Sequence, residues 1–124
     1  MAASLSLRIL LVDDDEGVQV AGEMLLGRLG HAVEVAWDGP QALEVLRRPG
    51  ATFDLVITDQ AMPGMSGLEL AGEIRQLYPG VPVVLASGFL KEEDQRAVRE
   101  SSVTAVLSKP FGLRELEELL ETLR

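Results

Sequence analysis

The chain contains no cysteine, one histidine, one tryptophan and one tyrosine, and its 11 basic residues face 20 acidic ones. Without cysteine there is no disulfide, no thiolate metal site and no thiol nucleophile, which agrees with a reducing compartment. The single histidine, His31, follows Gly30 where a helix is expected to turn into a strand. One histidine in the whole chain specifies neither a metal site nor a general base, so His31 is read as a turn residue. A formal charge of -9 with no cluster of Lys and Arg argues against direct binding to nucleic acid, so any DNA output has to come from another chain. No apolar run is long enough to span a membrane, and the apolar part of MAASLSLR is too brief for a secretory signal. No membrane association and a cytoplasmic location are the expectations.

What is present fits one ordinary globular domain, residues 1–124, with 47% hydrophobic and 25% charged residues. Short aliphatic or β-branched runs lie at Arg8 to Val12, Ala32 to Ala36, Asp54 to Thr58, Val81 to Ala86 and Thr104 to Leu107, each bounded by polar, Gly or Pro residues. The first, third and fourth are nearly continuous apolar, as parallel strands covered on both faces should be. Helical patterns separate them: Glu16 to Leu29, with Val18, Ala21, Leu25 and Leu29 as its apolar stripe; Pro40 to Arg48; Gly67 to Leu77; Glu92 to Ser101; and Leu113 to Leu123, with Leu113, Leu116, Leu120 and Leu123 inward. Strands alternating with helices predict right-handed crossovers and an α/β, doubly wound (βα)5 domain. The expected sheet is five-stranded and parallel, in the order 2-1-3-4-5.

In such a sheet ligands bind beyond the carboxyl ends of the strands. Asp13, Asp14 and Asp15 follow the first strand, Asp59 the third, Ser87 the fourth and Lys109 the fifth. With strands one and three adjacent, Asp13, Asp14 and Asp59 converge, and crowded carboxylates raise one another's pKa unless a cation offsets them. A hard divalent ion, Mg²⁺ above all, suits oxygen ligands of this kind. Three carboxylates, one such ion and Lys109 together come close to neutrality. A carboxylate neutralised in this way can attack a phosphoryl group, with the metal and Lys109 stabilising the transferred oxygens and Ser87 offering a hydroxyl.

Plainer roles exist for each residue singly. Asp15 and Glu16 stand where a helix begins and suit its N-terminal cap and dipole; Asp13 and Asp14 could also cap, and Asp54 is a strand-boundary residue. Ser87-Gly88 reads equally as a turn, and Lys109-Pro110 as a loop. Convergence after four strands of one sheet favours a site.

Four motifs, ILLVDDDEGV, DLVITDQAMPGMSGLEL, PVVLASGF and VLSKPF, carry the order and spacing of response-regulator receiver domains, and the chain resembles that family over its whole length. The resemblance implies a flavodoxin-like fold and phosphorylation of Asp59 by a histidine kinase or histidine phosphotransfer protein. It implies Mg²⁺ bound directly by Asp14 and Asp59, through water by Asp13, and by the backbone carbonyl of Ala61. It makes Ser87 the hydroxyl that moves toward the acyl phosphate, Lys109 the contact to the phosphoryl oxygen, and Lys109-Pro110 a cis peptide. Met62-Pro63-Gly64 would shape the loop after Asp59, and Gly67 would let the next helix begin close by. An effector protein or fused domain would engage the fourth helix, fifth strand and fifth helix, and phosphorylation would bias a pre-existing conformational equilibrium there.

Two departures stand out. Val106 occupies a position where many receivers carry an aromatic ring that turns inward on activation. Ala61 and Phe89 occupy the positions that govern water access to the phosphoryl group. Among rivals, a haloacid dehalogenase-type phosphohydrolase could use Asp13 and Asp15, but it leaves Asp59 unexplained and needs a further late acidic pair. A flavodoxin-type flavin carrier needs a hydroxyl- and Gly-rich phosphate loop where this chain has DDDE. A receiver-like interaction module that is never phosphorylated is the remaining alternative.

Overall fold

The structure, a computed structural model, describes residues 6–88, 90 and 92–123. Among these residues the elements run β1 (Arg8–Val12), α1 (Glu16–Arg28), β2 (Ala32–Ala36), α2 (Gly39–Arg47), β3 (Leu55–Asp59), α3 (Gly67–Leu77), β4 (Val83–Ser87), α4 (Glu92–Arg99), β5 (Ala105–Ser108) and α5 (Leu113–Thr122). All strand pairings are parallel, in the order β2-β1-β3-β4-β5. The expected doubly wound (βα)5 architecture is thus the observed one.

Strand alternation splits the core into two layers. Leu10, Val12 and Val56 face Ala42, Leu46, Leu70 and Ile74, under α2 and α3. Ile9, Leu11, Leu55 and Ile57 face Leu26, Leu116 and Leu120, under α1 and α5. Burial on both sides explains why these strands read as unbroken apolar runs. A buried leucine truncated to alanine in either layer would cost about 2–5 kcal/mol.

Several edges move by a residue or two. Asp54 lies just before β3, its N–H donating to the Arg8 carbonyl and its Oδ2 accepting from the Arg8 N–H, both at 2.8 Å, and the strand extends instead to Asp59, paired with Ala86. In α1 the buried positions are Gly22 and Leu26, and Ala21 is exposed, contrary to the expected stripe. Gly22 can face the sheet this closely only because it has no Cβ, which would come 2.5 Å from Leu11 Cδ2. Leu113 of α5 is also exposed, leaving Leu116 and Leu120 as its buried anchors. His31 is the expected turn residue, buried, with Nδ1 accepting from the Leu7 N–H at 3.0 Å.

Candidate functional site

The acidic cluster forms where β1 and β3 end side by side. Asp13 follows β1, its N–H donating to the Ala36 carbonyl at 3.0 Å, and its carboxylate is folded inward with only 2% exposure. Its Oδ1 accepts from the Asp15 N–H at 2.9 Å, and its backbone carbonyl accepts from Gln19 Nε2 at 2.5 Å. Asp15 caps α1 through Val18 N–H at 3.2 Å, the structural role expected of it. Asp14 points to solvent. Asp59, the last residue of β3, is 8% exposed.

One carboxylate oxygen from each of Asp13, Asp14 and Asp59 can be chosen so that all lie within 4.8 Å of one another. Lys109 reaches over from beyond β5, its Nζ donating to Asp13 Oδ2 at 2.8 Å and to Asp59 Oδ1 at 3.0 Å. Its backbone N–H is tied to the Ser87 carbonyl at 2.9 Å, and the Lys109-Pro110 peptide is cis as expected. Ser87 closes β4, half-buried and level with Ser108 of β5. It borders a groove it shares with Leu90, Val98 and Val106, and Val106 is 42% exposed. Phe89 and Lys91 lie outside the described residues.

Burial raises the Asp59 pKa above its ordinary value; the Lys109 hydrogen bond opposes that rise, and the Asp13 charge adds to it. For Lys109 burial pulls the pKa down, but hydrogen bonds to Asp13 and Asp59, with their charges, outweigh it and the net direction is up. Asp59 is therefore a carboxylate whose charge is poorly compensated by one lysine. A second cation at the cluster would correct this, and a hard all-oxygen donor set with one exposed member suits Mg²⁺ or a similar ion.

The cluster is positioned from behind by α3. Ser66 Oγ accepts from Glu69 N–H at 3.1 Å while Glu69 Oε1 accepts from Ser66 N–H at 2.9 Å, a capping box legible as Ser-x-x-Glu. Gly67 abuts the strand end: a Cβ there would collide with the Asp59 carbonyl oxygen and lie 2.7 Å from Leu85 Cδ1. Gly64, with φ of 83°, takes the left-handed turn of the intervening loop. Two residues not singled out beforehand also bear on the cluster: Gln19, bonded to the Asp13 carbonyl, and Gln60, whose Oε1 accepts from Leu68 N–H at 2.9 Å. No spacing rule marks a glutamine for such work.

Comparison with known proteins agrees with this geometry. The model of the response regulator receiver domain family matches residues 9–121. Sensor kinase CckA of Brucella abortus is 32% identical over 120 residues, covering 94% of this chain and 13% of that kinase. The chain therefore spans about an eighth of that relative's length. Among solved structures, the chemotaxis protein CheY4 of Vibrio cholerae superposes with a TM-score of 0.89 at 28% identity, covering 97% of this chain and 100% of that one. The receiver domain of sensor histidine kinase PA1611 from Pseudomonas aeruginosa, with a magnesium ion in its active-site cleft, gives 0.84 at 28% identity, covering 95% and 97%. The chain belongs to the response-regulator receiver family. It is a phosphoacceptor signalling domain of the two-component class with a CheY-like, flavodoxin-like fold. Among the described residues no helix is long and apolar enough to cross a membrane.

Proposed function

We propose that Asp59 accepts a phosphoryl group from a phosphohistidine of a kinase or phosphotransfer protein, with Mg²⁺ held by Asp14, Asp59 and the carbonyl of Ala61, and through water by Asp13. The observation that carries this is Lys109 bridging two buried carboxylates of a three-carboxylate cluster at the sheet's carboxyl edge. The fit of the ion rests on the donor set and on the raised Asp59 pKa, which a divalent charge would reverse. The magnesium-bearing PA1611 receiver supports the choice of ion. When bound, the ion would neutralise phosphoryl oxygens during transfer.

The chain's own residues divide the remaining work. An Asp59 carboxylate oxygen forms the new O–P bond as the P–N bond of the donor breaks, and the imidazole nitrogen leaves with the electron pair and is protonated from solvent. Lys109 starts bonded to Asp59 and stays within reach of the oxygens that Asp59 gains. Asp13, buried and tied to Lys109, holds that ammonium over the site. Ser87, at the end of the adjoining strand, supplies a hydroxyl to the phosphoryl oxygens and links the event to the groove beside Val106. The donor approaches over an open, mostly apolar hollow of about 500 Å³ beside Lys109, bordered by Val18, Ala21, Pro110 and Phe111.

The outcome is an altered partner surface on α4, β5 and α5, read by an effector protein or a fused domain. With Val106 in β5, the rearrangement proceeds without an aromatic rotamer change. A cytoplasmic location is part of this reading. The test is intact-mass spectrometry after incubation with acetyl phosphate, with Mg²⁺ or EDTA, on the native chain and on Asp59→Asn. One Mg²⁺-dependent adduct absent from the variant is expected. An adduct that persists in Asp59→Asn, or none in the native chain, refutes the assignment.

A further inference from the structure

Gln60 occupies a place no generic strand-end residue needs to fill. Its backbone N–H donates to the Ala86 carbonyl at 3.2 Å, joining β3 to β4 beyond Asp59. Its carbonyl accepts from Gly67 N–H at 3.1 Å, and its side-chain Oε1 accepts from Leu68 N–H at 2.9 Å. Gly67 and Leu68 are the first two residues of α3, and the next amide, Glu69 N–H, is taken by Ser66 Oγ. A helix begins with four amides lacking intrahelical partners. Gln60 alone satisfies two of them, so the α3 N-terminus is occupied from within and not offered to an anion.

The consequence falls on the atoms next to Gln60. The bond from Gly67 N–H to the Gln60 carbonyl fixes the Gln60-Ala61 peptide, and the exposed Ala61, whose own carbonyl lies in the next peptide, is held between that fixed peptide and the buried Met62. The same bonds hold α3 against the Asp59 carbonyl, where Gly67 leaves no room even for a Cβ. We infer that Gln60 is a positioning residue for the phosphoacceptor site, its side-chain amide clamping α3 to the end of β3 so that Asp59 and the Ala61 carbonyl are held ready for the cation. The inference deepens, and rests on, the reading of Asp59 and Ala61 given above. It requires a side chain that is long enough and ends in an acceptor: Met has the length without the acceptor, Asn the acceptor without the length, and Glu both.

The experiment compares the native chain with Gln60→Met and Gln60→Glu, each kept well below its unfolding temperature. Three quantities are read: Mg²⁺ affinity by calorimetric titration, the rate of acetyl phosphate-dependent mass gain, and hydrogen exchange at the Leu68 amide. The expected result is an Mg²⁺ affinity about tenfold weaker in Gln60→Met, the scale of losing an outer-shell support, with a slower phosphorylation rate and faster Leu68 exchange. Gln60→Glu should keep affinity and exchange near native. Unchanged Mg²⁺ affinity in Gln60→Met, with only a lower melting temperature, overturns the inference, as does an equal loss in both variants. If the native chain binds Mg²⁺ but takes no phosphoryl group, the functional reading fails alone, and the Mg²⁺ and exchange data still decide the role of Gln60.

Discussion

Replacing Lys109 by methionine separates charge from packing at the site. The substitution keeps the apolar stem and removes an ammonium that lies 2.8 Å from Asp13 and 3.0 Å from Asp59. Removing one partner of a buried ion pair costs about 3–5 kcal/mol, because the other charge is left unpaired. The Lys109 side chain is 21% exposed, so water screens part of the loss and the lower end, about 3 kcal/mol, applies. At roughly 4 °C per kcal/mol for a domain of this size, the melting temperature should fall by about 12 °C at neutral pH without Mg²⁺. The sign of the pH dependence follows from Asp59. Its folded pKa lies above the ordinary 3.8, so its ionised form costs stability once the pH passes through that raised value. Without Lys109 the pKa rises further, so the deficit of the variant is full at neutral pH and shrinks as Asp59 protonates toward pH 4. Mg²⁺ should bind the variant at least as tightly, since a competing positive charge has gone, and should restore much of the lost stability, while phosphorylation slows on the order of a hundredfold. Thermal unfolding from pH 4 to 8, with and without Mg²⁺, checks all of this. A deficit independent of pH and of Mg²⁺ would mean that Lys109 acts through packing, and would refute the electrostatic account.

Three further outcomes follow from the same geometry. Asp59→Asn removes a carboxylate whose charge is disfavoured by burial, so without metal it should melt above the native chain at pH 7, and the difference should close near pH 4; thermal scans with EDTA test this. Gly67→Ala forces a Cβ into the Asp59 carbonyl and the Leu85 side chain, an overpacking that should cost about 1–3 kcal/mol and weaken Mg²⁺ binding together, measured by denaturant titration and calorimetry. Asp14→Asn, at an exposed position, should leave the unfolding free energy without Mg²⁺ within about 0.5 kcal/mol of native while Mg²⁺ binding weakens at least tenfold, read by the same denaturant titration and calorimetry.

The sheet was legible because both its faces are covered, so β1, β3 and β4 carry apolar runs that little else produces. Convergence of Asp13, Asp14, Asp59 and Lys109 was legible for a related reason: in a parallel sheet every strand ends at the same edge, where Ser87 also closes β4. What escaped was set by tertiary contacts. The inward face of α1 centres on Gly22, and a count of apolar side chains does not score a glycine that lets Leu11 approach. At the start of β3, the Asp54 carboxylate takes the Arg8 amide, a partner 46 positions away that no local pattern marks. Leu113 sits in the first turn of α5, where the helix stripe has not yet reached the sheet, so periodicity overextended it. Gln60 and Gln19 act through single hydrogen bonds to backbone groups, which leave no pattern in composition or spacing.

The measurement closest to the central claim is the position of the covalent bond. After reaction with acetyl phosphate and Mg²⁺, borohydride reduces an aspartyl phosphate to homoserine, and peptide mass spectrometry locates the altered residue. Homoserine at position 59 and at no other aspartate is the predicted result. Homoserine at Asp13 or Asp14 would contradict it, and at Asp13 would move the nucleophile to the end of β1, as the phosphohydrolase alternative requires.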